Sequence, residues 1–235
     1  MSKLFDDLKE KYGRDIFGQG WLYRIVSQNE IANVDELTEE EKTNGIKGNK
    51  TFVPYDKGDK DGNRWYSPTP YYIDWSVDNV RFLKNDKKAR WQGYNFYFKE
   101  GFCWNLINGT RSTNDLKFRL VEKSVYDVGS MRLISLLEKI DNKIIVSLIN
   151  SKINNNFSEQ FMNFSVNFQI NDARQLPIII PNQEQKEKLE NIFNRAYNIQ
   201  KKKFSGEMTE KNAKEELDKI QNELDIFVER MYLGD

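Results

Sequence analysis

Phe168-Gln169-Ile170-Asn171-Asp172-Ala173-Arg174-Gln175-Leu176-Pro177-Ile178-Ile179-Ile180-Pro181 is the stretch on which the fold turns. Its approach, from Phe164 to Ile170, alternates apolar and polar residues as a half-buried strand does. Leu176 to Ile180, punctuated by Pro177 and Pro181, reads as a buried apolar stretch. Beyond it the pattern becomes helical. Over residues 183–203, Leu189, Ile192, Phe193, Ala196 and Ile199 share one face. Ser205-Gly206 supplies a turn. Over residues 209–232, Ala213, Leu217, Ile220, Leu224, Phe227 and Met231 recur at alternating spacings of four and three, the seam of a coiled coil. Two such helices on a short connection fold back as an antiparallel hairpin. Its seam serves packing against the body of the protein or against a partner chain.

Upstream the chain is mostly β. Residues 3–12 read as a short amphipathic helix, Trp21 to Val26 as a strand, and Asp35 to Lys42 as an acidic helix stopped by Asn44-Gly45. Strands are predicted at Thr51–Tyr55, Tyr71–Trp75, Asn95–Phe98, Phe102–Leu106, Lys117–Val121 and Ser124–Val128. Ile144, Ile145, Leu148, Ile149 and Ile153 predict one helix over Lys143–Phe161. The fold class is therefore α+β: a mixed, β-rich domain over residues 1–181, then a helical hairpin over 182–235.

Composition narrows the chemistry. The chain has 235 residues, enough to bury a core, and 31% of them are charged. No apolar run is long enough for a bilayer span, and the acidic start lacks the apolar region of a signal peptide, which points to a cytoplasmic protein. Histidine is absent, which removes the usual general base and metal ligand. The single Cys103 sits among aromatic strand residues and reads as a core thiol. There is no glycine-rich phosphate cradle. Asp59-Lys60-Asp61-Gly62 opens like a calcium loop but lacks the later ligands, so it reads as a turn.

Net charge is zero, but its distribution is uneven. Residues 81–120 hold nine cations against three anions, while residues 1–44 hold six against ten. A basic middle between acidic ends fits one face built for phosphate. The run Lys84 to Lys88 also fits a plain solvated loop. Cations interleave with aromatic residues from Lys57 to Arg64-Trp65-Tyr66 and from Arg90-Trp91 to Trp104. Arg and Lys suit phosphates and guanine edges, Asn and Gln suit adenine edges, and aromatic planes pack on sugars or unstacked bases. The polar loop Asn105 to Asn114 is dense in such groups, and equally fits a surface turn. Trp65 and Trp104 are expected to brace loops rather than touch bases.

Four segments resemble the C-terminal target-recognition domain of Type IIG restriction–modification enzymes, the TaqI-like specificity domain, and the related adenine methyltransferases of BREX phage defence. They are Phe52-Val53-Pro54-Tyr55-Asp56-Lys57-Gly58 with Arg64-Trp65-Tyr66 and Tyr72-Ile73-Asp74-Trp75; Tyr97-Phe98-Lys99-Glu100-Gly101-Phe102-Cys103-Trp104; Asp127-Val128-Gly129-Ser130-Met131 with Leu148-Ile149-Asn150-Ser151-Lys152; and Phe168 to Pro177. The family's Asn-Pro-Pro-Tyr-type motif for the flipped adenine is missing, since no two of the five prolines are adjacent.

The resemblance implies a non-catalytic specificity module for double-stranded DNA. S-adenosylmethionine, and magnesium where a nuclease is present, would then be held by a methyltransferase or nuclease partner. It implies phosphate contacts from Lys57, Lys60, Arg64, Lys88, Arg90 and Lys99, and base contacts from Asn108, Arg111, Ser112, Arg119, Ser130 and Arg132. The hairpin would dock the partner. Three alternatives stand beside it: a half-size Type I specificity subunit that forms a homodimer through the hairpin, a protein-interaction module without DNA affinity, and an enzyme working through carboxylates, Lys or Tyr.

Overall fold

The computed structural model describes residues 26–59, 61–69, 71–86, 89, 91, 93–104, 116–162 and 168–234. In chain order the elements are α1 (Glu39–Asn44), β1 (Phe52–Asp56), β2 (Tyr72–Asp74), α2 (Val77–Asn85), β3 (Gly101–Trp104), β4 (Phe118–Val121), β5 (Val125–Tyr126), β6 (Arg132–Leu133), α3 (Asn142–Ile149), α4 (Lys152–Phe161), α5 (Ile170–Ala173), α6 (Gln183–Ser205) and α7 (Glu210–Leu233). The architecture is mixed α+β, with two three-stranded sheets and a C-terminal helical hairpin. The helix expected at 3–12 and all but Val26 of the strand expected at Trp21–Val26 lie outside the described residues, as do residues 105–115 and 163–167.

The chain forms two compact units, and the boundaries interleave. The first takes the chain up to Lys57, Thr69–Lys99 and Glu122–Val128. Its sheet runs β2-β1-β5, with β1 antiparallel to β2 and parallel to β5. Val53, Ile73, Trp75, Val80, Phe98 and Val125 form its core. Trp75 is fully buried, and its indole N–H donates to the carbonyls of Glu41 (3.1 Å) and Lys42 (3.2 Å). The Glu41 carbonyl also accepts from the Gly45 N–H, so the indole adds a second donor there and supplies one to the Lys42 carbonyl in the last turn of α1. Ser76 starts α2 by accepting from the Asn79 N–H.

The second unit takes Gly58–Pro68, Glu100–Val121 and Gly129–Asp235. Its antiparallel sheet runs β4-β3-β6 and packs against α3, which packs in turn against the hairpin. The free edge of β4 does not face water. The Trp65 N–H donates to the Phe118 carbonyl at 3.0 Å, and the Leu120 N–H donates to the Trp65 carbonyl at 3.1 Å. Further along, Asn155 accepts from the Leu116 N–H at 2.8 Å. Covering an edge in this way removes a template for unwanted strand pairing.

The expected hairpin segment 182–235 shares the core of this second unit. Leu189, Ile192, Phe193 and Ala196 of α6 share one core with Ile220, Leu224 and Val228 of α7, all buried. Each fully buried Leu, Ile or Phe contributes about 1.5–3 kcal/mol of hydrophobic free energy. Val228 occupies the seam where the heptad spacing predicts Phe227, which is only partly buried. Asn182 caps α6 through a reciprocal pair with Gln185, both bonds 2.9 Å.

Four local expectations change. Lys143–Phe161 is two helices, broken at Asn150-Ser151. The break is supported by α7: Gln221 donates to the Asn150 carbonyl at 2.9 Å, and Asp225 accepts from the Lys152 N–H at 2.8 Å. Residues 95–98 are not a strand. Tyr94–Phe96 is a 3-10 turn, and Phe98 sits at φ 59°, outside the extended region a strand requires. Ile170 opens a short helix instead of ending a strand. The apolar stretch before the hairpin is only partly covered, with Leu176 buried and Ile180 exposed.

Candidate nucleic-acid interface

Each unit carries its own cluster of cations and aromatic rings. In the first unit, Trp75, Trp91 and Tyr94 stack in sequence. The ring centroids are 5.5 Å apart at 13° for the first pair and 6.3 Å apart at 19° for the second. The outermost ring, Tyr94, is 48% exposed, so the stack ends at a face open to solvent. Beside it lies a cleft of about 210 Å³ whose lining includes Trp91, Tyr94, Tyr97, Lys99 and the ion pair of Lys42 with Glu39. The Lys84 ammonium lies 5.8 Å from the Trp91 ring centre, and Lys99 lies 5.5 Å from that of Phe96. Lys57 stands 5.5 Å from the Tyr55 ring. Burial, followed by the hydroxyl of Tyr126 and the carboxylate of Asp127, pushes the Tyr97 phenol up to about 12. Tyr97 is therefore a neutral hydrogen-bonding group at any physiological pH.

In the second unit Arg64 is turned inward, its guanidinium donating to Gln221 of α7 at 3.0 Å. The Arg64 carbonyl accepts from Gln200 of α6 at 3.2 Å, and Asn63 accepts from Lys203 at 3.1 Å. The loop of Arg64-Trp65-Tyr66 is thus pinned to the hairpin. Tyr66 packs edge-on against Tyr197 (5.1 Å) and Phe204 (6.1 Å).

The sequence-predicted contacts separate into three groups. Lys57 and Lys99 lie at or near the surface of the first unit, and Arg64 is part-buried against the hairpin. Arg119, Ser130 and Arg132 are covered, at 2%, 0% and 6% exposure. Arg119 is in β4 opposite Cys103, and Arg132 lies in β6 with its stem against Gly101, where a Cβ would come within 2.8 Å of it. Side chains so enclosed present little to a base edge in this conformation. Lys60, Lys88, Arg90, Asn108, Arg111 and Ser112 lie outside the described residues.

The segments quoted for the resemblance do structural work. Trp104 is 1% exposed, and its indole donates to the Phe168 carbonyl at 2.8 Å. The Tyr232 hydroxyl donates to the Pro177 carbonyl at 2.6 Å. Gly58, at φ 87°, crosses Gly129 so closely that a Cβ would lie 2.2 Å from the Gly129 oxygen.

Sequence reasoning named Lys84 only within a basic run that also fits a solvated loop, whereas it lies in the last turn of helix α2, and it passed over Lys201-Lys202-Lys203 at the end of α6. The triple lysine is visible as a run before Ser205-Gly206, but the helical pattern alone assigns it to solvated surface. Among the described residues, no group of three or more His, Cys, Asp or Glu is placed to hold a metal ion, and no helix is long and apolar enough to cross a membrane. No protein-family model matches the chain, and no curated protein matches it.

Proposed function

We propose that this chain is the sequence-reading module of a DNA-modification or restriction system, directing an adenine methyltransferase carried elsewhere to its target. The observation that carries the reading is the pairing of lysines with aromatic rings on each unit, with the Trp75–Trp91–Tyr94 stack ending in an exposed ring. Such surfaces suit a phosphate backbone and its sugars or unstacked bases. Lys57 and Lys99 fix register on phosphates. The polar segment from Asn105 to Asn114, with Asn108, Arg111 and Ser112, reads base edges in the major groove. S-adenosylmethionine belongs to the partner, and the assembly works in the cytoplasm.

Titration of labelled duplexes at several salt concentrations tests this. Lys57→Ala and Lys99→Ala should weaken binding to all sequences alike, each lowering the salt slope by about 0.9. Arg111→Ala should cost about 1–3 kcal/mol against one base and leave other positions intact. Equal weakening on every duplex by Arg111→Ala would remove it from the readers.

A second reading is favoured by α7, where Ile226 (55%) and Leu233 (71%) are exposed. These side chains suit a protein partner or a second copy, as in a self-associating Type I specificity subunit. A concentration-dependent dimer in sedimentation, abolished by Ile226→Glu, would support it.

A further inference from the structure

The end of α6 holds a second cluster with the character of an anion site. The Lys201 ammonium lies 5.4 Å from the Tyr66 ring centre and 5.2 Å from that of Tyr197. The two rings meet edge to face, so the cation is held by both. Lys203 points to Asn63 and lies 4.4 Å from the Phe204 ring. Beside them opens a groove of about 550 Å³ whose lining includes Tyr66, Lys201, Lys202, Phe204, Ser205 and Glu207. The carboxylate of Glu207 accepts from the Ser205 hydroxyl at 2.7 Å.

Lysines in a last helical turn also complement the helix dipole. That accounts for cations near the terminus, but not for a groove that also brings the rings of Tyr66 and Phe204 beside them. Consecutive helical residues point about 100° apart. Of the three lysines, Lys203 donates to Asn63, while Lys201 and Lys202 line the groove.

We propose that this groove docks a phosphodiester of the DNA backbone, with Lys201 and Lys202 as its counter-charges and the rings of Tyr66 and Phe204 against the adjoining sugar. The hairpin turn is then a DNA contact as well as a platform for protein partners. The inference rests on the DNA-reading function proposed above. It adds a sequence-independent contact, because a phosphate carries no base identity.

The test is the salt dependence of duplex binding by the full chain with Lys201→Ala/Lys202→Ala, and with Lys219→Ala, a mid-helix cation paired with Glu216, as control. Two lost phosphate contacts should lower the slope of log affinity against log salt by about 1.8. Between about 50 and about 200 mM salt the unaltered chain should then lose about twelvefold more affinity than the double variant. The preferred sequence and the thermal midpoint should stay the same, because both side chains are exposed. An unchanged slope in the double variant, or an equal drop in the Lys219→Ala control, overturns the inference while leaving the DNA-reading function standing. If the unaltered chain binds no duplex, either alone or together with its methyltransferase, that function falls and the inference falls with it.

Discussion

Asn150 and Phe118 exchange a complete amide pair: the Phe118 N–H donates to Asn150 Oδ1 and Asn150 Nδ2 donates to the Phe118 carbonyl, both at 2.9 Å. Asn150 is fully buried, and its own carbonyl accepts from Gln221. One side chain thus acts as the next strand beside β4, while its backbone ends α3 and meets α7. The segment Leu148-Ile149-Asn150-Ser151-Lys152 joins sheet, helix break and hairpin through this residue.

Asn150→Ala should therefore destabilise the second unit strongly. It strips a buried N–H of its acceptor and leaves a carbonyl with fewer donors. At about 1–3 kcal/mol for each buried group left unsatisfied, a loss of about 2–4 kcal/mol is expected. Chemical denaturation measures it. A change below about 0.5 kcal/mol, within the range of ordinary surface substitutions, would mean that the amide pair is not a staple of the fold.

Gly58→Ala tests the crossing of two chain segments. The substitution meets a left-handed φ of 87° and a contact of 2.2 Å with the Gly129 oxygen. Backbone, not a flexible side chain, must move. The expected loss exceeds about 1 kcal/mol, read as a lower unfolding midpoint. An unaltered midpoint would contradict the crossing geometry.

How far these features were legible in the sequence depends on what sets each one. The hairpin was readable because its seam is periodic over many turns, and β1 to β4 because aromatic and β-branched runs sit between turn residues. Helix α2 was missed: Ser76, Val80 and Leu83 give a cap and an apolar face, but the preceding Tyr71–Trp75 run draws attention to a strand. The break at Asn150 was hidden because its causes, Gln221 and Asp225, lie far along the chain. Ring stacking onto Tyr94, and the capture of Lys201 between Tyr66 and Tyr197, depend on tertiary approach that no local pattern encodes. For Arg119, the sequence supplied a suitable residue type, and burial in β4 is what the sequence could not show.

Glu223 makes the hairpin acid-sensitive. It pairs with Lys188 and with Arg195 (2.7 Å), and these partners hold its carboxyl below the ordinary carboxylate value. A lowered folded value means stability that is present above the unfolded carboxylate range and lost as pH falls through the folded value. The pairs are solvent-accessible, so the contribution is modest, about 0.2–1 kcal/mol. Glu223→Gln should lower stability by that amount at neutral pH and leave the protein unchanged at strongly acidic pH. An equal loss at both would place the effect in packing instead of charge.

Tyr97 gives the opposite sign at alkaline pH. Its folded value of about 12 lies above the ordinary 10.0. The stability it contributes is complete below pH 10 and declines as pH rises toward about 12. Tyr97→Phe should flatten that decline, and absorbance titration should lose one late-ionising phenol. Retention of the late phase in the variant would assign it to another tyrosine.

The most direct measurement of the central claim is selection of bound duplexes from a randomised DNA pool at low salt, read by sequencing. The account predicts enrichment of one short motif, by the chain alone or together with its methyltransferase, with discrimination of about 1–3 kcal/mol at each base read by a bidentate contact. A pool that emerges without any enriched motif in both conditions would contradict it, and would leave a protein-interaction module in its place.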